Sequence, residues 1–122
     1  MSEEEISSKR YDLEERTFQF AKNVRAFVKT LPRTVTNEQD VRQLVRSSGS
    51  VGANYIEANE SLSKKDFVMR IKISRKEAKE SCYWLRLLDT GEKQSLDKVR
   101  TALIQEGTEL TNIFGSIVRK SQ

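Results

Sequence analysis

The amino-acid sequence predicts an all-α protein, an antiparallel up-down-up-down bundle of four helices in one domain spanning residues 1–122. Only 5 glycines and 1 proline interrupt the chain, and both residue types disfavour helices. Charged residues make up 33% of the sequence and hydrophobic residues 36%, a balance typical of amphipathic helices. Hydrophobic residues recur at helical spacing in four long segments, and the short connections between the segments favour antiparallel neighbours.

The first two predicted helices are separated by a short polar loop. The first spans about residues 12–31, with Asp12 as the expected N-cap. It ends before Pro32, because the residue preceding a proline avoids helical backbone angles. The second helix is predicted over residues 38–61, with Asn37 as its N-cap.

The third and fourth predicted helices have similar boundary signals. Ser63 begins a capping-box pattern, which predicts a third helix over residues 64–90. Gly91 follows, and glycine readily adopts the left-handed backbone conformation with which many helices end. The fourth helix is predicted over residues 96–119, with Ser95 as its N-cap.

The second helix contains an unusual run of small residues, RSSGSVGANYIEANE. Gly49 and Gly52 each cost about 1 kcal/mol of helix propensity relative to alanine, so a packing benefit is expected in return. We predict that the central stripe of this helix lets a neighbouring helix approach closely. The predicted stripe consists of Val41, Val45, Ser48, Gly52, Ile56 and Asn59. A phosphate-binding glycine loop is excluded, because such a loop follows a strand.

The third helix has a second set of apolar residues, which lie away from its predicted core stripe. A helix of a bundle needs only one apolar stripe, and additional apolar surface commonly marks a protein contact. The first helix shows a similar pair of residues outside its stripe. The predicted oligomer interface consists of Tyr11, Phe18, Met69, Ile73, Trp84 and Leu87. The alternative is that a wide core absorbs these side chains.

The positive charge is concentrated in the third helix. The net charge is +4 and the sequence pI is about 9.3, yet residues 63–79 alone contain seven bases and two acids. A basic strip of this kind is suited to binding phosphates. The candidate nucleic-acid-binding residues are Lys65, Lys72, Arg75, Lys76 and Lys79. The alternative is a solvated face whose charges pair with Glu77, Glu80 or acids of the second helix.

The sequence contains no histidine and only one cysteine, which removes the usual zinc ligands and the commonest general base. Cys82 lies on the predicted core stripe, where a thiol behaves as a small apolar group. Glu57 and Glu60 are expected to pair with basic residues of the third helix. We therefore expect no catalytic residues, no metal and no cofactor.

The expected location is the cytoplasm. A single cysteine fits a reducing compartment, and the N-terminus lacks the pattern of a secretion signal. No apolar run is long enough to span a membrane.

Two segments, RSSGSVGANYIEANE and SKKDFVMRIKISRKEAKESCYWLRLL, together resemble the four-helix bundle proteins linked to intervening sequences of bacterial 23S ribosomal RNA. The resemblance covers nearly the whole chain and is strongest over residues 41–88. It implies a left-handed bundle and a ring-shaped homopentamer. A related group, the accessory proteins of diversity-generating retroelements, forms basic pentameric barrels that bind nucleic acid and a reverse transcriptase. That similarity implies a nucleic-acid role for the basic strip.

Two functions follow as hypotheses. The first is a non-enzymatic oligomeric scaffold that binds RNA, DNA or a nucleoprotein partner through the basic residues of the third helix. The alternative is a structural or protein–protein interaction module whose charges serve only solubility and assembly. Neither hypothesis requires a small-molecule substrate or a membrane.

Overall fold

A computed structural model describes the backbone of residues 3–122 and the side chains of residues 12–122. Within this part, the chain forms four helices and no strand, which confirms the predicted all-α four-helix fold. The helices are α1 (Glu3–Val28), α2 (Val35–Asn59), α3 (Lys64–Leu87) and α4 (Gln94–Ser121). Each helix packs against two others, in the cyclic order α1, α2, α3, α4.

Hydrogen bonds between helices show how consecutive helices are oriented. They join the first half of one helix to the second half of its neighbour, which is the pattern of helices that run in opposite directions. Glu14 of α1 bonds to Asn59 at the end of α2, and Asn54 near the end of α2 bonds to Arg70 near the beginning of α3. The left-handed twist implied by the family resemblance stays a prediction.

The core is formed by one apolar stripe from each helix. Its largest fully buried apolar side chains are Phe20, Val24, Leu44, Val51, Ile71, Leu85, Leu110 and Phe114. Burying each such side chain contributes about 1.5–3 kcal/mol. At one level of the core, the rings of Tyr55 and Phe114 pack with their centroids 5.8 Å apart.

The α2 N-terminus begins earlier than the sequence pattern predicts. Thr34 is the N-cap, and its hydroxyl accepts a hydrogen bond from the Asn37 backbone N–H at 3.1 Å. The prediction that Asn37 caps this helix is therefore wrong. Asn37 is buried within the first turn, where its side chain bonds to two loops instead of the helix end.

The other helix ends agree only in part with the predictions. Ser63 caps α3 as expected, because its hydroxyl accepts from the Asp66 N–H. Asp12 lies inside α1 and Ser95 lies inside α4, so both of those N-cap predictions are wrong. Gly91 adopts the expected positive φ of 66°, but α3 has already ended at Leu87.

Gly52, within the small-residue run of α2, lies where α1 packs closely against α2. A Cβ atom on Gly52 would lie 2.8 Å from the Thr17 Oγ1 atom, closer than real Cβ contacts allow. This confirms the predicted close packing. The predicted stripe is nevertheless rotated, because Ile56 is 50% exposed while Val51 and Tyr55 are buried. The large side chains fill the core, and the glycine lies to one side of them, against α1.

Candidate nucleic-acid interface

The five predicted basic residues share the outward face of α3. The opposite face of that helix is buried through Ile71, Ser74, Ala78 and Leu85. Side chains on the other face of the same turns therefore point to solvent. All five bases are exposed: Lys65, Lys72, Arg75, Lys76 and Lys79. We call this set the α3 basic strip.

None of the four acids expected to neutralise the α3 basic strip pairs with it among residues 12–122. Glu77 and Glu80 both pair with Arg46 of α2, at 3.4 Å in each case. Glu57 and Glu60 form no ion pair within residues 12–122, so the expected salt bridges from these residues are not found. Over the same residues, no member of the α3 basic strip has a carboxylate partner.

One basic residue of α4, Arg119, joins the strip at its side. The guanidinium groups of Arg75 and Arg119 converge over Gly115, and each places a nitrogen 3.3 Å from the position of a Cβ on that glycine. Arg119 was missed by the sequence analysis because it is 44 positions from Arg75 along the chain. The available signal was two bases in the last turn of α4, which the helix dipole alone would explain.

Three of the predicted interface residues present apolar surface to solvent. Phe18 is 55% exposed, Met69 48% and Leu87 49%. Ile73 is half-buried, and the side chain of Tyr11 lies outside the described residues. Met69 and Leu87 lie opposite the buried stripe of α3, in a sector beside the α3 basic strip.

Trp84 differs from the other predicted interface residues, because it packs against the core of its own subunit. Its indole Nε1 is buried and finds no hydrogen-bond acceptor in the described part of the chain. The neighbouring Tyr83, which the sequence analysis did not select, is 55% exposed. The Tyr83 and Trp84 rings meet edge to face with centroids 5.1 Å apart.

A wide groove of about 1150 Å³ separates α1 from α4. Apolar side chains such as Phe20 and Leu103 form part of its lining. At one end, Arg16 donates two hydrogen bonds of 2.8 Å to Glu106 and one of 2.9 Å to Glu109. The hydrogen bonds to Glu106 raise the pKa of Arg16. The pKa of Glu109 is lowered, mainly by the hydrogen bond from Gln105 and to a smaller extent by the one from Arg16.

The described side chains offer little chemistry of other kinds. Within residues 12–122, no three histidine, cysteine, aspartate or glutamate residues lie close enough together to bind a metal ion. Cys82 is half-buried, and burial raises the pKa of its thiol, which lowers the thiolate fraction at neutral pH. Among the described residues, no helix is both long enough and apolar enough to span a bilayer.

The chain matches a family profile and is similar to a solved structure. The profile of the family described as 23S rRNA-intervening sequence protein matches residues 9–114. The structure is a protein of unknown function from the S23 ribosomal protein family of Bacteroides thetaiotaomicron. It is 29% identical, with a TM-score of 0.74 over 91% of this chain and 98% of the other. No curated protein matches the chain.

Proposed function

We propose, from the premise that this chain belongs to the 23S rRNA-intervening sequence protein family, that it is a non-enzymatic oligomeric bundle binding nucleic acid or a nucleoprotein partner in the cytoplasm. The α3 basic strip is the observation that carries the proposal. Five cations share one exposed helix face, and none has a carboxylate partner within residues 12–122. Phosphates would supply the missing negative charge.

The binding predicted by this proposal is electrostatic and depends strongly on salt. Each base that contacts a phosphate releases a condensed counterion, which steepens the fall of affinity with salt concentration. Five contacts predict a slope of log K against log [salt] of about −4 to −5 on a duplex, and of about −3 to −4 on a single strand. Because such contacts read no base edges, little sequence preference is expected.

Fluorescence anisotropy with a labelled RNA hairpin, measured across a range of salt concentrations, tests the proposal. The triple variant Lys72→Gln, Lys76→Gln, Lys79→Gln should bind weakly and with a shallower salt slope. Its matched control changes three exposed bases on other parts of the chain by the same charge: Lys29→Gln, Arg33→Gln and Arg42→Gln. An equal loss in both triple variants, or no binding at low salt, would contradict a site on α3.

Oligomer formation is part of the same proposal, and exposed apolar residues support it. Phe18, Met69 and Leu87 are each about half exposed, although burying such side chains is favourable by about 25 cal/mol per Å² of apolar area. A contact between copies would bury them. The family resemblance implies a ring-shaped homopentamer. Such a ring would repeat the α3 basic strip around its circumference and strengthen the attraction to nucleic acid.

A second candidate is a protein–protein interaction module, and the groove between α1 and α4 favours it. Its apolar lining would suit the apolar face of a helix from another protein, as in helix-in-groove recognition. On this hypothesis, reversing charge with Lys72→Glu and Lys76→Glu would leave the proteins captured in a pull-down unchanged. Loss of nucleic acid from the capture without loss of protein would separate the two functions.

A further inference from the structure

A small pocket between α3 and α4 brings three cations together. Its lining consists of Lys72, Arg75, Gly115, Val118 and Arg119. Lys72 and Arg75 belong to the α3 basic strip, while Arg119 comes from the last turn of α4. We call this site the Gly115 pocket.

The charges of the Gly115 pocket are not compensated by the protein. Lys72, Arg75 and Arg119 form no ion pair and no side-chain hydrogen bond with any described residue from 12 to 122. By contrast, Arg16 and Arg46 each reach two carboxylates. Like charges repel at close range, so two converging guanidinium groups and a lysine in the same lining, without a carboxylate, favour the arrival of an anion.

The shape of the pocket depends on the glycine at its base. Gly115 is buried, and a Cβ atom there would lie 3.3 Å from both Arg75 Nε and Arg119 Nη1. Both guanidinium nitrogens therefore lie close to one point, within reach of a single small anion. The pocket encloses about 340 Å³, whereas a water molecule occupies about 30 Å³ in the liquid.

We infer that the Gly115 pocket binds one phosphate group through Arg75, Arg119 and Lys72. Guanidinium groups match the geometry of phosphate oxygens and form two parallel charge-assisted hydrogen bonds, and the lysine adds a point charge. The phosphate belongs to a nucleic-acid backbone, and this part of the inference rests on the proposed function. Arg119 then extends the nucleic-acid contact from α3 onto α4.

The first experiment measures binding of the labelled RNA hairpin to Arg119→Gln. Loss of one charge-assisted contact is expected to weaken binding by about tenfold and to reduce the salt slope by about 1. Arg119→Lys keeps the charge but loses the planar fork, so it should be intermediate. Arg86→Gln is the matched control, because Arg86 is an exposed base near the end of α3 outside the pocket. Circular dichroism checks that each variant keeps its helices.

The second experiment titrates the isotope-labelled protein with inorganic pyrophosphate and follows the Gly115 amide by NMR. A saturable shift that disappears in Arg119→Gln supports the pocket even if no RNA binds, in which case the proposed function fails alone. A shift together with unchanged RNA affinity in Arg119→Gln would assign the pocket to a free phosphate compound and overturn the backbone assignment. Absence of both effects, in a protein that still binds RNA, would overturn the inference and leave the proposed function standing.

Discussion

Asn37 and Asp89 are 52 positions apart in the sequence, yet they exchange two hydrogen bonds across the end of the bundle. The Asn37 amide nitrogen donates to the Asp89 carbonyl at 2.9 Å, and the amide oxygen accepts from the Asp89 N–H at 2.9 Å. The same nitrogen also donates to the Pro32 carbonyl. One buried side chain therefore fastens the loop before α2 to the loop after α3.

Replacing Asn37 with aspartate should be strongly destabilising. The variant Asn37→Asp keeps the size of the side chain but loses both donors, and it leaves two carbonyl groups facing a carboxylate oxygen. An unsatisfied buried polar group costs about 1–3 kcal/mol, so we expect the free energy of unfolding to fall by about 2–4 kcal/mol. Urea denaturation measures this loss. The exposed Gln39→Glu, the same amide-to-acid change two residues later, should be nearly silent.

The two glycines of α2 are expected to respond oppositely to alanine. In Gly52→Ala, the added methyl would lie 2.8 Å from Thr17 Oγ1 and 3.2 Å from Thr17 Cβ, so α1 has to move away, at a cost of about 1–3 kcal/mol. In Gly49→Ala, the nearest atom is the flexible end of Arg25 at 3.2 Å. That variant should gain up to about 1 kcal/mol of helix propensity. Thermal unfolding of both proteins provides the comparison, and equal melting temperatures would argue against close packing at Gly52.

The Cys82 thiol should titrate at higher pH than a free cysteine. Burial raises its pKa above the usual value of 9.0, and a hydrogen bond with Thr108 opposes this only in part. Reaction with a disulfide reagent should therefore be slow at pH 7 and should accelerate after unfolding in urea. A thiol titration midpoint below 9.0 in the folded protein would contradict the assignment.

The same shift makes the stability of the protein depend on alkaline pH. Above pH 9 the unfolded chain loses the Cys82 proton while the folded protein retains it, so the stability contributed by the neutral thiol falls as the pH rises through the folded pKa. Cys82→Ala should remove this contribution to the pH dependence. Urea denaturation at pH 8 and pH 10 compares the two proteins.

The outward face of α3 should control assembly through Met69 and Leu87. The double variant Met69→Lys, Leu87→Lys places charges in the proposed contact, so we expect it to dissociate the oligomer while the helices remain folded. Trp84→Ala is a poor test, because the partly buried Trp84 packs on its own core, so its loss would also lower the stability of the subunit.

Solution mass by light scattering reads out the state of the assembly. Val35→Lys with Leu62→Lys is the matched control, since both residues are exposed apolar positions elsewhere and the added charge is the same. If the unmodified protein is a monomer at micromolar concentration, the interface proposal is wrong. If the control variant also dissociates the oligomer, the subunit contact cannot be assigned to α3.

The candidate site could be predicted from the sequence only where it lies on one helix. Five bases of α3 fall on one face because their spacing follows the helical repeat, and all five are exposed. Arg119 could not be assigned to the same site, because nothing in the local pattern says which turn of α4 lies beside Arg75. The exposure of Trp84 could not be predicted either, because periodicity gives its direction from the helix axis, while the packing of the neighbouring helices decides how much of it is covered.

Local patterns in the sequence thus determined four amphipathic helices, the Ser63 cap, the left-handed Gly91 and a concentrated positive charge, because each depends on residues within a few positions of one another. Tertiary structure decided the rotation of α2, the bonding of Asn37 and the convergence of Arg75 and Arg119. Those features depend on which side chains of a different element come within a few ångströms, and helical periodicity carries no information about that distance.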